Sequence, residues 1–131
     1  MLGQLEVDGG IIVADFEAGI GTMIRLPDHA VDIVIVIVEP TAKSIEVGSR
    51  AAGLARERGV NRVFVVANRL TGEDDAARVL SELRVERVLQ VPEDPAVGDA
   101  DRAGNGVLES AADSAAVAAL GQLADWVTAG G

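Results

Sequence analysis

Aliphatic runs that do not alternate with polar residues mark four stretches of the chain. They are rich in β-branched residues and comprise Ile11–Ala14, Ile33–Val38, Val63–Ala67 and a shorter one, Val88–Val91, which stops at Pro92. A strand with one face in water alternates apolar and polar positions, whereas a parallel strand covered by helices is apolar on both faces. The pattern therefore predicts buried parallel strands.

Five segments with helical features lie between and after these runs. They are rich in alanine, bounded by capping residues or apolar at helical spacing, and comprise Thr22–Leu26, Thr41–Arg58, Glu73–Leu83, Pro95–Ala103 and Ser110–Val127. Alternation of strands and helices is the order of an α/β fold with parallel strands. We therefore predict a single domain over residues 1–131: a three-layer α/β fold with a mainly parallel sheet of four to five strands and helices on both faces.

Two of the helical segments carry more detailed signals. Thr71 precedes the third segment, and its hydroxyl with Asp74 three residues on forms a pair similar to a capping box. In the last segment, apolar residues at helical spacing predict one buried face, made of Val117, Leu120, Ala124 and Val127.

The start of the chain allows two structures. The turn-forming residues Asp8-Gly9-Gly10 could close a hairpin between Gln4–Val7 and Ile11–Asp15. Alternatively, Met1–Gly10 leads into the first strand without pairing to it. We favour the hairpin.

Composition excludes several classes of protein. The chain has no cysteine, so disulfides, thiol nucleophiles, iron–sulfur clusters and cysteine zinc sites are ruled out. Its 11 basic and 21 acidic residues give a net charge of −10, which disfavours nucleic acid as a partner. Ile33–Val38, the longest strictly aliphatic run, is too short to cross a bilayer, and Met1–Gly10 lacks a signal pattern. We therefore predict a cytoplasmic protein that does not bind membranes.

Polar and turn-forming residues follow all four aliphatic runs: Asp15–Gly19, Glu39–Thr41, Asn68-Arg69 and Pro92–Asp94. The carboxyl ends of parallel strands meet at one edge of a sheet, where ligands bind in α/β folds. The same residue types also simply end strands, so a shared site and plain turns both remain open. Asp15 could hold Mg²⁺ or cap the following turn.

A dinucleotide-binding fingerprint is incomplete. Gly19 and Gly21 match its first two glycines, and Glu39 lies at the distance expected of a ribose-binding acid. However, Ile24 stands where the third glycine belongs, and the glycines begin four residues after Asp15 rather than at the strand end. A small dehydrogenase-like protein is therefore kept only as an alternative.

Several motifs in order resemble a known family. Asp15–Thr22 resembles the second switch segment, D-x-E-A-G-I, of the MinD/ParA-like (SIMIBI) P-loop ATPases, closest to the carbon monoxide dehydrogenase maturation factors. Further resemblances follow in the family's order at Asp32–Thr41, Lys43–Glu46, Val63–Arg69 and Val91–Asp94. The resemblance covers roughly residues 10 to 125, and the joint order is more specific than any one motif.

The resemblance concerns only the C-terminal half of such an ATPase. It implies that Asn68 and Arg69 contact the adenine edge, that Pro92, Glu93 and Asp94 flank the base, and that Asp15 lies near Mg²⁺ when nucleotide is bound. A phosphate-binding loop, G-x-x-x-x-G-K-[ST], is not present in these residues, since the only lysine, Lys43, follows Ala42. We therefore expect ATP or ADP with Mg²⁺ as possible ligands, and no catalytic residues or autonomous ATPase activity.

The expected role is that of a degenerate, pseudo-ATPase relative that binds adenine nucleotide weakly or docks onto a partner. Two alternatives remain: a pure protein-interaction or assembly module with a vestigial site, and a truncated half of a full ATPase. In the family, the phosphate-loop strand lies between those at Ile11–Asp15 and Ile33–Val38. Without it, these two strands either pair directly or leave backbone groups for a protein partner or a second copy, since unpaired buried amides cost about 1–3 kcal/mol each.

Overall fold

The computed structural model describes residues 9–16, 21–83, 85 and 87–129, apart from the side chain of Thr22. Its helices and strands, in chain order, are α1 (Gly21–Arg25), β1 (Ile33–Val38), α2 (Ala42–Glu57), β2 (Arg62–Leu70), α3 (Glu73–Glu82), β3 (Val88–Pro92), α4 (Pro95–Arg102), α5 (Val107–Ser110) and α6 (Ala115–Thr128). This alternation confirms the predicted α/β class.

The sheet has three parallel strands in the order β1-β2-β3 within the described residues. Ile33 of β1 pairs with Arg62 of β2, and Val65 of β2 pairs with Val88 of β3. The prediction of four to five strands is therefore wrong for the described part of the chain. Ile11–Ala14 is described but forms no strand, and Gln4–Val7 lies outside the described residues.

The Ile11–Ala14 segment lacks what a strand needs from its surroundings. Ile11, Ile12 and Val13 are 63%, 45% and 88% exposed, so their side chains are not buried by the fold. A strand is stabilised by hydrogen bonds to a neighbour, and no described residue pairs with this segment. Accordingly, the second arm of the predicted hairpin and the direct pairing with β1 do not form.

Helices pack on both faces of the sheet because side chains alternate along each strand. Val65 and Ala67 of β2 lie in a core cluster with Ile45 of α2 and Val79 of α3. Val66, between them, instead packs with Ala116 of α6. The two helical layers therefore hold β2 from opposite sides, as the uninterrupted apolar run predicts.

Local signals fix both ends of helix α2, which packs against the sheet. The Thr41 hydroxyl accepts a hydrogen bond from the Ser44 N–H at 3.2 Å and caps its start. Its end is followed by Gly59, whose φ of +80° suits the left-handed turn after a helix. Gly48 of α2 is buried against Val38 of β1, and the two elements lie so close together that a Cβ at this position would overlap the valine.

The predicted cap of α3 is wrong. The residue before the helix is Gly72, which provides no side-chain hydrogen bond. Thr71 instead donates from its hydroxyl to the Asp75 carboxylate at 2.7 Å, and its N–H donates to the same oxygen at 3.1 Å. The carboxylate of Asp75, rather than that of Asp74, therefore ties the preceding loop to the first helical turn.

The last predicted helix, Ser110–Val127, begins only at Ala115, and its buried face differs from the prediction. The Ser114 hydroxyl accepts from the Val117 N–H at 3.2 Å and caps the start of α6, which four residues separate from the end of α5. Leu120 is 46% exposed, whereas the face packed on the sheet consists of Ala116, Ala119, Leu123 and Trp126. Because apolar residues occupy most sides of α6, spacing alone did not select the face. The Trp126 ring, with its centroid 5.6 Å from that of Phe64 in β2, marks the face that packs.

Candidate functional site

Two ion pairs tie together the carboxyl ends of all three strands. The Arg69 guanidinium near the end of β2 lies 3.3 Å from the Glu39 carboxylate, which directly follows β1. The same guanidinium lies 3.0 Å from the carboxylate of Glu93, which directly follows β3. Three of the four polar strand exits predicted from the sequence are therefore brought together.

A β-bulge sets the position of Arg69. Ala67 pairs with Gln90 and Leu70 with Pro92, so β2 has one more residue than β3 over this interval. Arg69 has a φ of +60°, a left-handed conformation that non-glycine residues rarely adopt. The strand predicted to end at Ala67 thus continues to Leu70 through a strained bulge that contains the half-buried Asn68. Strain of this kind is often found at functional sites.

Two neighbouring carboxylates stabilise the charged form of Arg69. The Glu93 carboxylate, and then that of Glu39, raise the pKa of Arg69 above its ordinary value by hydrogen bonding and charge attraction. The Arg69 side chain is nevertheless 60% exposed, and those of Glu39 and Glu93 are 49% and 45% exposed. Solvent-exposed pairs contribute little stability, so the main effect is on the orientation of the three side chains.

The Asp94 carboxylate, next to this ion-pair network, binds backbone N–H groups of two helices. One of its carboxylate oxygens accepts from the Ala96 N–H at 3.0 Å and caps α4, and the other accepts from the Ala116 N–H of α6 at 3.1 Å. These hydrogen bonds, first that from Ala116 and then that from Ala96, lower the pKa of Asp94. The carboxylate thus joins the starts of α4 and α6 at the Pro92–Asp94 turn.

An open cleft of ≈ 600 Å³ adjoins this turn. Pro92–Asp94 form one side of its lining, Ala96 contributes from α4, and residues Glu109–Ala115 of the α5–α6 connection form the rest. The lining combines four carboxylates with small apolar side chains: Glu93, Asp94, Glu109 and Asp113 with Ala96, Ala111, Ala112 and Ala115. Such a lining repels phosphate and suits a flat, neutral group with hydrogen-bond donors.

The Glu109–Ala115 part of the cleft is not predicted from the sequence. A continuous helix from Ser110, as predicted, leaves the connection before α6 no part in a site. Gly106 and Ser114, which stand directly before α5 and α6, were available as helix-start signals.

Asp15 is not brought to the other strand exits by the sheet. It is described and exposed, but it follows no strand, and Glu17–Ile20 lie outside the described residues. Among the residues that the structure describes, no three histidine or acidic side chains are grouped as metal ligands. The Mg²⁺ role of Asp15 therefore stays a prediction.

Comparison with curated proteins identifies a relative of the sequence. Over 94 residues, the chain is 31% identical to the carbon monoxide dehydrogenase accessory protein CooC of Rhodospirillum rubrum. The chain is homologous to part of CooC. This confirms the resemblance to the maturation-factor branch that the ordered motifs indicate. The match covers 71% of the chain but 36% of CooC, so the chain spans about a third of this relative.

Two further comparisons agree with the CooC match. An uncharacterised ATP-binding protein of Methanocaldococcus jannaschii is 33% identical over 64 residues, which are 49% of the chain and 25% of that protein. The MinD cell division protein of Aquifex aeolicus superposes with a TM-score of 0.54 at 20% identity, covering 72% of the chain and 45% of MinD. The MinD likeness shows a shared fold. No protein-family profile matches the chain.

In the part of the chain that the structure describes, every helix is too short or too polar to cross a bilayer.

Proposed function

We propose that the chain provides the base-recognising side of a CooC-like adenine-nucleotide site and acts by binding. The phosphate-gripping groups would come from residues outside these 131, in a partner or in a longer polypeptide. The observation that carries this proposal is the ion pair of Arg69 with Glu93 of the Pro92–Asp94 turn, at one end of the sheet and beside an open cleft. The ATP-binding name of the Methanocaldococcus relative supports the choice of ligand.

The chemistry of the cleft fits an adenine ring better than a phosphate chain. Adenine is flat and uncharged, and its exocyclic amine can donate to a carboxylate such as that of Glu109 or Asp113. Asn68 is outside the cleft lining and directly precedes Arg69, and its amide offers a donor and an acceptor to a base edge that extends beyond the cleft toward Arg69. Four carboxylates around the cleft oppose the charge of a triphosphate at the same place.

Hydrolysis by these residues alone is not expected. Phosphoryl transfer depends on cations and backbone amides that hold the γ-phosphate, and the chain has a single lysine, Lys43, at the start of α2. Asp15 would hold Mg²⁺ if nucleotide bound, and the ion would supply charge neutralisation at the phosphates. Asn68, Arg69 and the Pro92–Asp94 turn would orient the base.

Calorimetric titration with MgADP and MgATP tests this function. We expect weak binding, with a Kd on the order of 0.1–1 mM, since only the base side is present. Asn68→Ala should weaken it roughly tenfold because it removes the paired donor and acceptor. Asn105→Ala, the same change at an exposed loop position after α4, is the matched control and should bind as the parent chain does.

Three results would contradict the proposal. Measurable ATP hydrolysis by the purified chain would show that it grips the γ-phosphate itself. Equal nucleotide binding by Asn68→Ala and the parent chain would place the ligand elsewhere. Absence of nucleotide binding in the parent chain would favour the alternative of an interaction module with a vestigial site.

A further inference from the structure

The main chain of Glu39 is tied to the start of α2. Its N–H donates to the Ser44 hydroxyl at 2.9 Å, and its carbonyl accepts from the Thr41 N–H at 2.8 Å. Ser44 belongs to the first turn of α2, and Thr41 caps that turn. The Glu39 side chain therefore extends from a fixed backbone, and a substitution of that side chain leaves these main-chain hydrogen bonds in place.

The Glu39 carboxylate bonds to one nitrogen of Arg69, and the Glu93 carboxylate bonds to another. Arg69 donates from Nη1 to Glu39 at 3.3 Å and from Nε to Glu93 at 3.0 Å. On the Glu93 side the main chain adds support, since the Glu93 N–H donates to the Leu70 carbonyl at 2.8 Å. One acid alone would let the planar guanidinium pivot about a single hydrogen bond, whereas two acids on different nitrogens hold its plane.

The Arg69 guanidinium thus combines a fixed plane with access to a ligand. The Arg69 side chain is 60% exposed, and its partner Glu93 lines the cleft. A guanidinium plane is a surface on which nucleobases stack. Ion pairs as exposed as these contribute little stability, so their main effect is to order that plane before a ligand arrives.

We propose that Glu39 is a positioning residue of the base site. Its carboxylate holds the Arg69 guanidinium in one plane, and that plane stacks on an adenine ring that lies beside Glu93. Glu39 itself does not touch the ligand, unlike the ribose-binding acid of a dinucleotide fingerprint. The inference rests on the proposed function and adds to it a residue that lies outside the cleft lining.

NMR titration of the full chain with adenosine and with the free base adenine tests this role at the Glu93 amide. Glu39→Ala should weaken the binding of both ligands by about threefold to tenfold, because Arg69 must then be ordered during binding. Glu39→Gln keeps an acceptor at the same reach and should recover part of the loss. Both ligands are uncharged, so the lost negative charge does not itself change their affinity. Glu46→Ala removes an exposed acid from α2 as the matched control and should bind as the parent chain does.

Two further measurements separate positioning from a structural role. In the chain without ligand, nitrogen relaxation at Arg69 Nε should show larger motion in Glu39→Ala than in the parent chain or Glu46→Ala. The urea midpoints of all three should agree, since the ion pairs are exposed. In an Arg69→Lys background, Glu39→Ala should not weaken binding further, because lysine has no plane to hold.

Other results would overturn the inference. Parental affinity or unchanged Nε motion in Glu39→Ala would do so and leave the proposed function standing. A loss confined to adenosine would make Glu39 a direct ribose ligand, and an equal loss in Glu46→Ala would make the effect one of charge. A lower urea midpoint in Glu39→Ala would show a structural role. Absence of binding of both ligands to the parent chain would instead refute the proposed function, and this inference with it.

Discussion

The contact between α2 and β1 offers a sharp test of the fold that positions the candidate site. A Cβ at Gly48 would overlap Val38 Cγ1 and lie 3.4 Å from Val36 Cγ1. Val38 is 1% exposed and directly precedes Glu39, so it cannot move without shifting the end of β1. Val38 is also β-branched, which leaves its side chain few alternative rotamers. Gly48→Ala should therefore strain this contact.

The expected change in the free energy of unfolding combines two opposing effects of Gly48→Ala. Overpacking a close-packed core costs about 1–3 kcal/mol, and the rigid position of Val38 favours the upper part of that range. Replacing glycine by alanine within a helix, by contrast, raises the free energy of unfolding by about 1 kcal/mol. We therefore expect Gly48→Ala to lower the free energy of unfolding by about 2 kcal/mol. Gly53→Ala, in the same helix but with nothing within 4 Å of its Cβ, should raise it by about 1 kcal/mol.

Urea unfolding followed by far-UV circular dichroism measures both variants. The Val38→Ala background provides the control, because it removes the methyl groups that Gly48→Ala would strike. The penalty of Gly48→Ala should largely disappear in that background. If Gly48→Ala instead proves as stable as Gly53→Ala in the parent chain, the close approach of α2 to β1 is refuted.

Three further predictions concern the site and its supports. Because Arg69 has a positive φ, Arg69→Gly should unfold at a higher urea concentration than Arg69→Ala, and the reverse order would contradict the bulge. Asp94 has a lowered pKa, so its ionised form contributes stability above about pH 4 that is lost as the pH falls further. Asp94→Asn should accordingly be less stable than the parent chain at about pH 7, and urea unfolding should show this gap narrowing toward about pH 3. A gap independent of pH would contradict the capping role. Trp126→Ala should lower the free energy of unfolding by about 2 kcal/mol, about half the usual loss for a buried ring, since Trp126 is half-buried against Phe64. Thermal or urea unfolding that shows no change would contradict the packing of α6 on β2.

The elements that the sequence predicts correctly depend on local signals. β1 occupies the predicted residues because a strand that is apolar on both faces needs no partner to be recognised. α2 follows the capping threonine at Thr41 and precedes Gly59, and both signals lie within the segment itself. The meeting of Arg69 with Glu93 was foreseeable for a related reason, since parallel strands end at one edge of the sheet.

The errors concern features that tertiary contacts decide. Ile11–Ala14 has the composition of a strand, but strand formation requires a neighbour that the described residues do not provide. The bulge at Arg69 depends on the register of β2 against β3, which no local pattern encodes. The buried face of α6 was misassigned because alanine-rich helices are apolar on several sides, and contact with Phe64 selects among them. The Glu109–Ala115 side of the cleft was not predicted, because the predicted helix included residues 110–114, which connect α5 to α6.

The central claim is that these residues recognise the base and do not grip the triphosphate. Its most direct test is an NMR titration of the chain with adenosine, ATP and inorganic tripolyphosphate, observed at the amides of Asn68, Arg69 and Glu93. The acidic cleft predicts that adenosine binds at least as tightly as ATP, and that tripolyphosphate leaves these amides unchanged. Tighter binding of ATP than of adenosine, with displacement by tripolyphosphate, would contradict the account.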